Sequence, residues 1–493
     1  MTRLWRTALL GALLLPAPLA AQGWRVLLDA RAQATSYRGW RIDSIPAADT
    51  VTGGSGGPET PDGYVARCDG GPVCRYWRPG PEQRGAPAIL TADATLWGLG
   101  VTGLSFHART RLGADLGAGD PWYGPDRTLE LVEGYADLER GRYHFRAGRQ
   151  VVSGRIGWWG LDGARGWVRS RRLGLEASAY AGWGLARSSN LTVTSDALNP
   201  LGDFQTGERQ GALGATARWS APRGAIEAQY HREWSGVDGG VTVERAAVSA
   251  EQVIAGPVSA SGGALYDVAS GLWGSWDLGA RYAHGRVSAS ARVRQYRPLF
   301  DLWSVWQAFS PVAYHAADGG IGVRIDPRVA LRVTGERYWY DETETSTPLV
   351  SVEDAGWRVS YGATWTPRRE LTVDGELRRE FGVGAYANSV QGSVVWTPRP
   401  SWTVRATAGH LERPLEYRYD VSTLDWIGIG ADWRAGDRVT LGGAMDRWSE
   451  SRDRPDAAAF SWDQVRLSFR MSWLLLSDAD RLPLPPGRPR GTR

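Results

Sequence analysis

Arginine set at every second residue is the pattern in this chain that could do chemistry, and that chemistry is electrostatic. All 57 basic side chains are arginine, since the sequence contains no lysine, and 53 acids nearly balance them. Arg109, Arg111, Arg146, Arg218, Arg281, Arg292, Arg294, Arg324, Arg332, Arg358, Arg378, Arg405, Arg466 and Arg470 alternate with apolar neighbours, as do Glu133, Asp137, Glu176, Glu227, Glu336, Asp374, Glu376 and Glu380. A period of two puts such residues on one face of a strand. A guanidinium keeps its charge at any relevant pH, so an Arg-biased face around water would favour anionic or polyhydroxyl solutes. The competing outcome is that these charges pair across neighbouring strands and only fill the interior. The group expected to stay unpaired is Arg292 and Arg294 with Arg324 and Arg332, on three consecutive segments with few acids beside them apart from Glu336.

Other chemistry finds little support. His107, His144, His231, His284, His315 and His410 are scattered over different segments with no nucleophile motif beside them. His231 alternates with Glu227, Gln229 and Glu233, a polar row more than a catalytic pair, so no enzyme is expected. Cys68 and Cys74, in CDGGPVC, are the only cysteines and should close a short disulfide loop in an exported chain. With neither CxxCH nor a His-rich cluster, no metal or cofactor is expected. Without Arg3 and Arg6 of the leader described below, net charge is +2, 55 minus 53, which is no nucleic-acid footprint.

The elements that position these residues are hairpins. In YANSVQGSVVWTPRPSWTVRATA, residues 386–408, Tyr386, Asn388, Val390, Gly392, Val394 and Trp396 share one face, and Trp402, Val404, Ala406 and Ala408 repeat it after a Pro-containing turn. The unit recurs around Trp219, Trp365 and Trp433, and around Pro327 without the Trp. Tryptophan where strand meets turn suits a membrane interface, so Trp219, Trp365, Trp396, Trp402, Trp433 and Trp473 are expected to form a belt. A soluble β-protein with aromatic cross-strand pairs is the alternative.

Residues 1–21 read as a signal peptide, with Arg3 and Arg6 before the apolar run Ala8–Leu15. No later run of about 18 apolar residues offers a transmembrane helix. Alternating runs from 24–37 to 463–475 amount to about 22 strands, with residues 39–88 as a long Gly/Pro-rich extracellular loop holding both cysteines. Every second connection is short, as at 221–223, 285–286 and 399–401, while those at 185–207, 298–311, 342–354, 414–423 and 449–462 are longer. Such segregation predicts a closed antiparallel transmembrane β-barrel over 22–476, with both ends in the periplasm and no plug domain. Residues 477–493, Pro- and Arg-rich, read as a disordered periplasmic tail.

The last strand, DQVRLSFRMSWLLL, resembles the closing strand of bacterial outer-membrane proteins, which the barrel assembly machinery reads; here the chain continues past the aromatic. The segment RYHFRAGRQVVSGRIGWWGLDGARGWVR, residues 142–169, is similar to one in porin-like and alginate-export-like barrels. That resemblance implies passage of an anionic sugar or other small solute, with Arg146, Arg149, Arg165 and Arg169 as candidate contacts. The function so implied is passive diffusion of small hydrophilic solutes through a porin-like channel in outer-membrane lipid. The alternatives are an export conduit or sheath for a polysaccharide or periplasmic partner, and an outer-membrane hydrolase.

Overall fold

The computed structural model describes residues 23–52, 57–117, 129–185, 210–236, 239–297, 299, 313–341, 355–382, 385–412, 422–452 and 462–477. The proposed signal peptide, most of the tail and the longer connections named above lie outside these residues. In chain order the first strands are β1 (Gly23–Pro46), β2 (Val51–Thr52), β3 (Pro58–Glu59), β4 (Ala66–Cys68), β5 (Val73–Gly85), β6 (Pro87–Trp97), β7 (Leu104–Asp115) and β8 (Leu129–Arg140). There follow β9 (Tyr143–Gly154), β10 (Gly157–Ser170), β11 (Leu175–Gly184), β12 (Gln210–Ala221), β13 (Gly224–Trp234), β14 (Val241–Ala255), β15 (Val258–Asp267), β16 (Leu272–His284) and β17 (Val287–Tyr296). The rest are β18 (Tyr314–Arg324), β19 (Val329–Tyr340), β20 (Ala355–Arg368), β21 (Leu371–Gly382), β22 (Ala385–Arg399), β23 (Trp402–Glu412), β24 (Ser422–Arg434), β25 (Val439–Arg452) and β26 (Trp462–Leu476). One 3-10 turn, Ala47–Asp49, is the helical element among the described residues.

All pairings are antiparallel, and the main sheet has 24 strands. Setting aside the short β4, and counting β5 and β6 as one wall strand interrupted at Ala86, leaves 24 − 2 = 22 staves. The ring closes because β1 pairs on one side with β26, Arg25 opposite Leu476, and on the other with β6, Gly23 opposite Trp97. Closure removes both sheet edges, which is what lets strands rather than helices stand in a membrane. At one end of the wall the connections are short, as at 141–142, 222–223, 285–286 and 400–401. At the other end they are longer, with 155–156 and 383–384 as exceptions.

The segment 39–88, expected to be a loop without period, is for the most part a hairpin. β1 runs on to Pro46 and pairs with β5 from Thr35 opposite Gly85 to Pro46 opposite Val73, in the register it keeps with β6 as far as Arg38 opposite Glu82 and shifted by one residue from Trp40 opposite Pro79 onward. Pairing with β26 ends at Thr35 opposite Arg466, and pairing of β6 with β7 ends at Pro87 opposite Asp115. Beyond those points about ten residue pairs, roughly 30 Å of strand, project past the wall. There the packing is local, with Tyr64, Ala66 and Cys74 buried and the Tyr64 ring on Tyr76, and charged positions such as Arg41, Asp43, Arg75 and Arg78 interrupt the apolar alternation that marks a wall strand. Arg78 pairs with Asp43 at 2.7 Å, and the disulfide Cys68–Cys74 ties β4 to β5 near the tip.

Candidate conduction pathway

Register passes side chains from strand to strand on one face of this wall. Starting at Asp29, the chain of opposed residues includes Thr91, Arg111, Arg109, Glu133, Asp137 and Arg146 on the early strands. It continues through Arg165, Glu176, Arg218, Glu227, Arg281, Arg292, Arg294, Arg324, Arg332 and Glu336. Arg358, Arg378, Glu380, Asp374, Glu376, Arg405, Arg466 and Arg470 complete the circuit back to β1. Opposed residues on paired strands point the same way, so these groups share one face. Arg149 does not: it stands across from Asp162 on the other face and binds both carboxylate oxygens at 2.8 Å.

Contacts between strands that are not neighbours show which face is inside. Pairing of β9 with β8 stops at Arg149, and pairing of β10 with β11 starts at Leu161. Between those points residues 150–160 leave the wall as a hairpin and cross the lumen. The guanidinium of Arg155 reaches Asp277 on β16, and the backbone N–H of Ile156 donates to Gln229 Oε1 on β13 at 3.2 Å. β13 stands three staves from β10 in the ring, and β16 six. Such contacts can only be made through the interior of a closed wall.

Local sequence permits the departure. Gly148 holds φ at +128°, a region closed to side-chain-bearing residues, and a Cβ there would stand 2.3 Å from the Gly134 carbonyl. At Gly154 the hairpin approaches Gln229 so closely that a Cβ would fall 2.3 Å from its amide. Val152, Ile156, Trp159 and Leu161 are buried against Tyr180, Ala212 and Ala247, with Leu265 packed on them. Each large side chain taken from water there contributes about 2 kcal/mol, so a dry seat forms within a wet lumen. Under it His231, fully buried, accepts or donates at Nδ1 with the Tyr180 hydroxyl (2.8 Å) and at Nε2 with Glu233 (2.9 Å). Arg245 and Asp267 form a second buried pair at 3.2 Å.

Most of the arginines are neutralised. Of the four expected to stay free only Arg324 does so among the described residues: Arg292 and Arg294 both hold Asp318 (2.9 and 3.0 Å), Arg294 also holds Glu336 (2.5 Å), and Arg332 holds Asp374 and Glu376 (2.9 and 3.2 Å). Asp318 lies opposite Arg292 on the next strand, a register the sequence alone did not reveal. Arg358 bridges Glu336 and Glu380 at 2.7 Å each, and Arg378 stands 3.7 Å from Glu380. Arg111 pairs with Glu130, Arg146 with Asp137, Arg169 with Glu176, Arg218 with Glu227 and Glu251, Arg405 with Asp432, and Arg470 with Asp29. Arg109, Arg281, Arg324 and Arg466 have no carboxylate within 4 Å among the described residues.

Arg165 differs from all of these. Its guanidinium carbon lies 4.4 Å from the ring centre of Trp167, its Nη2 donates to Ser178 Oγ at 3.2 Å, and its buried Nε has no partner. It stands directly opposite Arg146, whose guanidinium covers the Tyr135 ring at 3.9 Å. Like charges set opposite one another, with one of them lacking a carboxylate, leave a local positive excess on the inner face.

The histidines stay apart. His107 touches Thr95 at 3.3 Å but stands 3.7 Å from Glu133, beyond hydrogen-bond length, so no carboxylate orients it as a base. His144 stacks on Trp167 and bonds Asp137 at 2.7 Å. His315 and His410 lie on the outer face with Asp341 and Asp425.

On that outer face Trp219, Trp365, Trp396, Trp402, Trp433 and Trp473 are 37–52% exposed on the isolated chain. Their opposed partners are apolar: Ile226 for Trp219, Val373 for Trp365, Leu371 for Trp396, Leu441 for Trp433 and Leu28 for Trp473, while Trp402 stacks on Trp433 at 5.7 Å. A second set, Trp183, Trp273, Trp339, Trp357 and Phe381, lies toward the other end of the wall. That set was not anticipated; its alternation with Gly182, Tyr338 and Arg358 was available as a signal.

No family model matches the chain, and no curated protein does either. Among solved structures it is similar to the ferric enterobactin receptor of Pseudomonas aeruginosa, at 11% identity over 92% of this chain and 81% of that one, with a TM-score of 0.50. Looser likenesses are the P pilus usher translocation pore (9% identity, 91% and 99% of the two chains, TM-score 0.44) and a porin of Rh. blastica (12%, 54% and 91%, 0.30). At these identities the first shows the fold alone, and the other two carry no argument. A closed 22-stranded wall with an exposed apolar outer face is a bacterial outer-membrane β-barrel. The protein resides in the bacterial outer membrane, with a fold that channels and transporters share.

Proposed function

We propose that this barrel is a porin-like channel for small hydrophilic solutes with a preference for anions, narrowed by its own β9–β10 hairpin and not by a separate plug domain. The observation that carries the reading is Arg165, a guanidinium on the inner face with no carboxylate partner, on the strand that forms one arm of the inward hairpin. A solute entering the lumen meets a wall on which most charges are paired, with Arg109, Arg281, Arg324 and Arg466 adding to the positive side. At Arg165 and Arg146 the positive charge exceeds the acid beside it, and an anion gains there what the protein does not supply. The wall tryptophans named from the sequence hold the barrel at the short-turn, periplasmic interface. Residues 1–21 direct export, and the barrel assembly machinery inserts the chain. No catalysis is assigned to it.

Conductance of the purified protein in a planar bilayer, with reversal potential across a salt gradient, tests this. Anion preference that falls in Arg165→Gln supports it. Cation preference in the unaltered protein defeats the anion reading, and absence of conductance defeats the channel and favours an export conduit or sheath.

A further inference from the structure

The outer face of β19–β21 carries two guanidinium groups where a lipid-facing wall should be apolar. Arg337 alternates with the inward Glu336 and Tyr338, lies opposite Trp357, and is exposed with no carboxylate within 4 Å among the described residues. Two strands on, Arg379 lies opposite Val359, places its guanidinium 5.3 Å from the Phe381 ring centre, and donates through Nε to Asn388 Oδ1 at 2.9 Å. The rings of Trp357 and Phe381 sit between them, 4.7 Å apart. From strand spacing and rise the two arginine Cα atoms are about 12 Å apart.

Height on the wall is set by Trp365, eight residues along β20 from Trp357 and beside its short turn. Eight residues of a strand tilted by about 40° climb roughly 20 Å, close to the apolar band of such barrels, so Trp357 and both arginines reach the far interface. Two described acids on this side, Asp341 and Glu412, already have partners. Asp341 holds His315 and Arg297 (2.7 and 3.6 Å), and Glu412 accepts from Asn388 Nδ2 at 2.8 Å. The patch therefore keeps two guanidinium groups with no carboxylate within 4 Å among the described residues, flanked by aromatic rings suited to the boundary between acyl chains and headgroups.

We infer that this face binds the phosphorylated headgroup of the glycolipid that makes up the outer leaflet, with Arg337 and Arg379 on phosphate and Trp357 and Phe381 against the sugar and proximal acyl carbons. Charge complementarity fixes the occupant. A planar guanidinium matches phosphate in two-point geometry, and the depth excludes a soluble anion from lying on the rings. The inference is independent of what the lumen conducts.

The test is retention of bound lipid by the folded barrel in detergent, read by native mass spectrometry after exchange with three probes: the phosphorylated outer-leaflet glycolipid, the same lipid dephosphorylated, and phosphatidylglycerol. Folded state is checked by heat-dependent gel mobility for each variant. The expected result is preferential retention of the phosphorylated glycolipid, weakened at least about tenfold by Arg337→Gln with Arg379→Gln and unaltered by Arg447→Gln on the outer wall of β25. Equal retention of phosphatidylglycerol or of the dephosphorylated lipid overturns the assignment. So does an equal loss in Arg447→Gln, which would make the effect one of overall charge.

Discussion

The ring of Trp159 lies over the imidazole of His231 with 4.0 Å between centroids, although the strands that carry them stand three apart in the wall. One arm of a hairpin has left the sheet to make that contact. It brings with it an apolar seat that a water-filled barrel does not otherwise need.

Removing the ring should therefore open the lumen. Trp159→Ala withdraws about 3–5 kcal/mol of core packing and should loosen an eleven-residue hairpin that is then held by buried Val152 and Ile156, Arg155 on Asp277 and one backbone hydrogen bond to Gln229. Single-channel conductance should rise and become noisier, while the heat-modified shift of the folded barrel on a gel stays. Unchanged conductance would mean that the hairpin does not limit flow.

Arg165 and Arg358 should respond in opposite ways to loss of charge. Arg165 has no acid to leave behind, so Arg165→Gln should leave thermal stability level or slightly higher. Arg358→Gln leaves Glu336 to Arg294 and Glu380 to the more distant Arg378, each carboxylate mostly shielded from water, and should cost about 1–3 kcal/mol. Thermal unfolding in detergent distinguishes the two.

Reduction should affect the projecting hairpin alone. Opening Cys68–Cys74 frees a short loop, worth about 2 kcal/mol, at a site remote from the wall. Limited proteolysis with reductant should cut between residues 40 and 86 and leave the barrel intact; cleavage spread through the wall would contradict a separate projection.

The same hairpin should loosen in acid. The backbone N–H of Ser44, with Arg78 and Arg41, holds the Asp43 carboxyl below its usual range. A carboxylate so depressed stabilises the hairpin above the ordinary carboxylate range, and that contribution disappears as pH falls through its lowered value. Amide exchange at β5 should accelerate below about pH 4, and Asp43→Asn should remove the pH dependence.

The stacked pair Trp402 and Trp433 should show coupling. A double-mutant cycle with alanine is expected to return about 0.5–1.5 kcal/mol beyond burial. Additive losses would show that lipid, and not the neighbouring ring, holds each indole.

Alternation made the wall legible because lipid on one side and water on the other impose it residue by residue, as Val465, Leu467 and Phe469 show against Arg466, Ser468 and Arg470. Past the wall there is no lipid to impose it, only a small local cluster of Tyr64, Ala66 and Cys74, so β5 read as loop. Trp159 and Trp396 carry the same period, and nothing in the pattern says that one points into a core and the other into lipid. The positive-φ Gly148 was the local sign that the strand bends away. Pairing of Arg294 with Glu336 crosses an intervening strand, so it needed register, which alternation leaves open.

Closure of the ring by β1 on β26 has a consequence for assembly. Arg25 waits for Leu476, some 450 residues later in the chain, so the sheet cannot close until every intervening strand has been made. Until then both margins of the growing sheet are adhesive, with Leu27 and Leu28 at one and Leu474 and Leu475 at the other. The clasp is made last, and whatever escorts the chain across the periplasm must keep its two halves from finding other partners first.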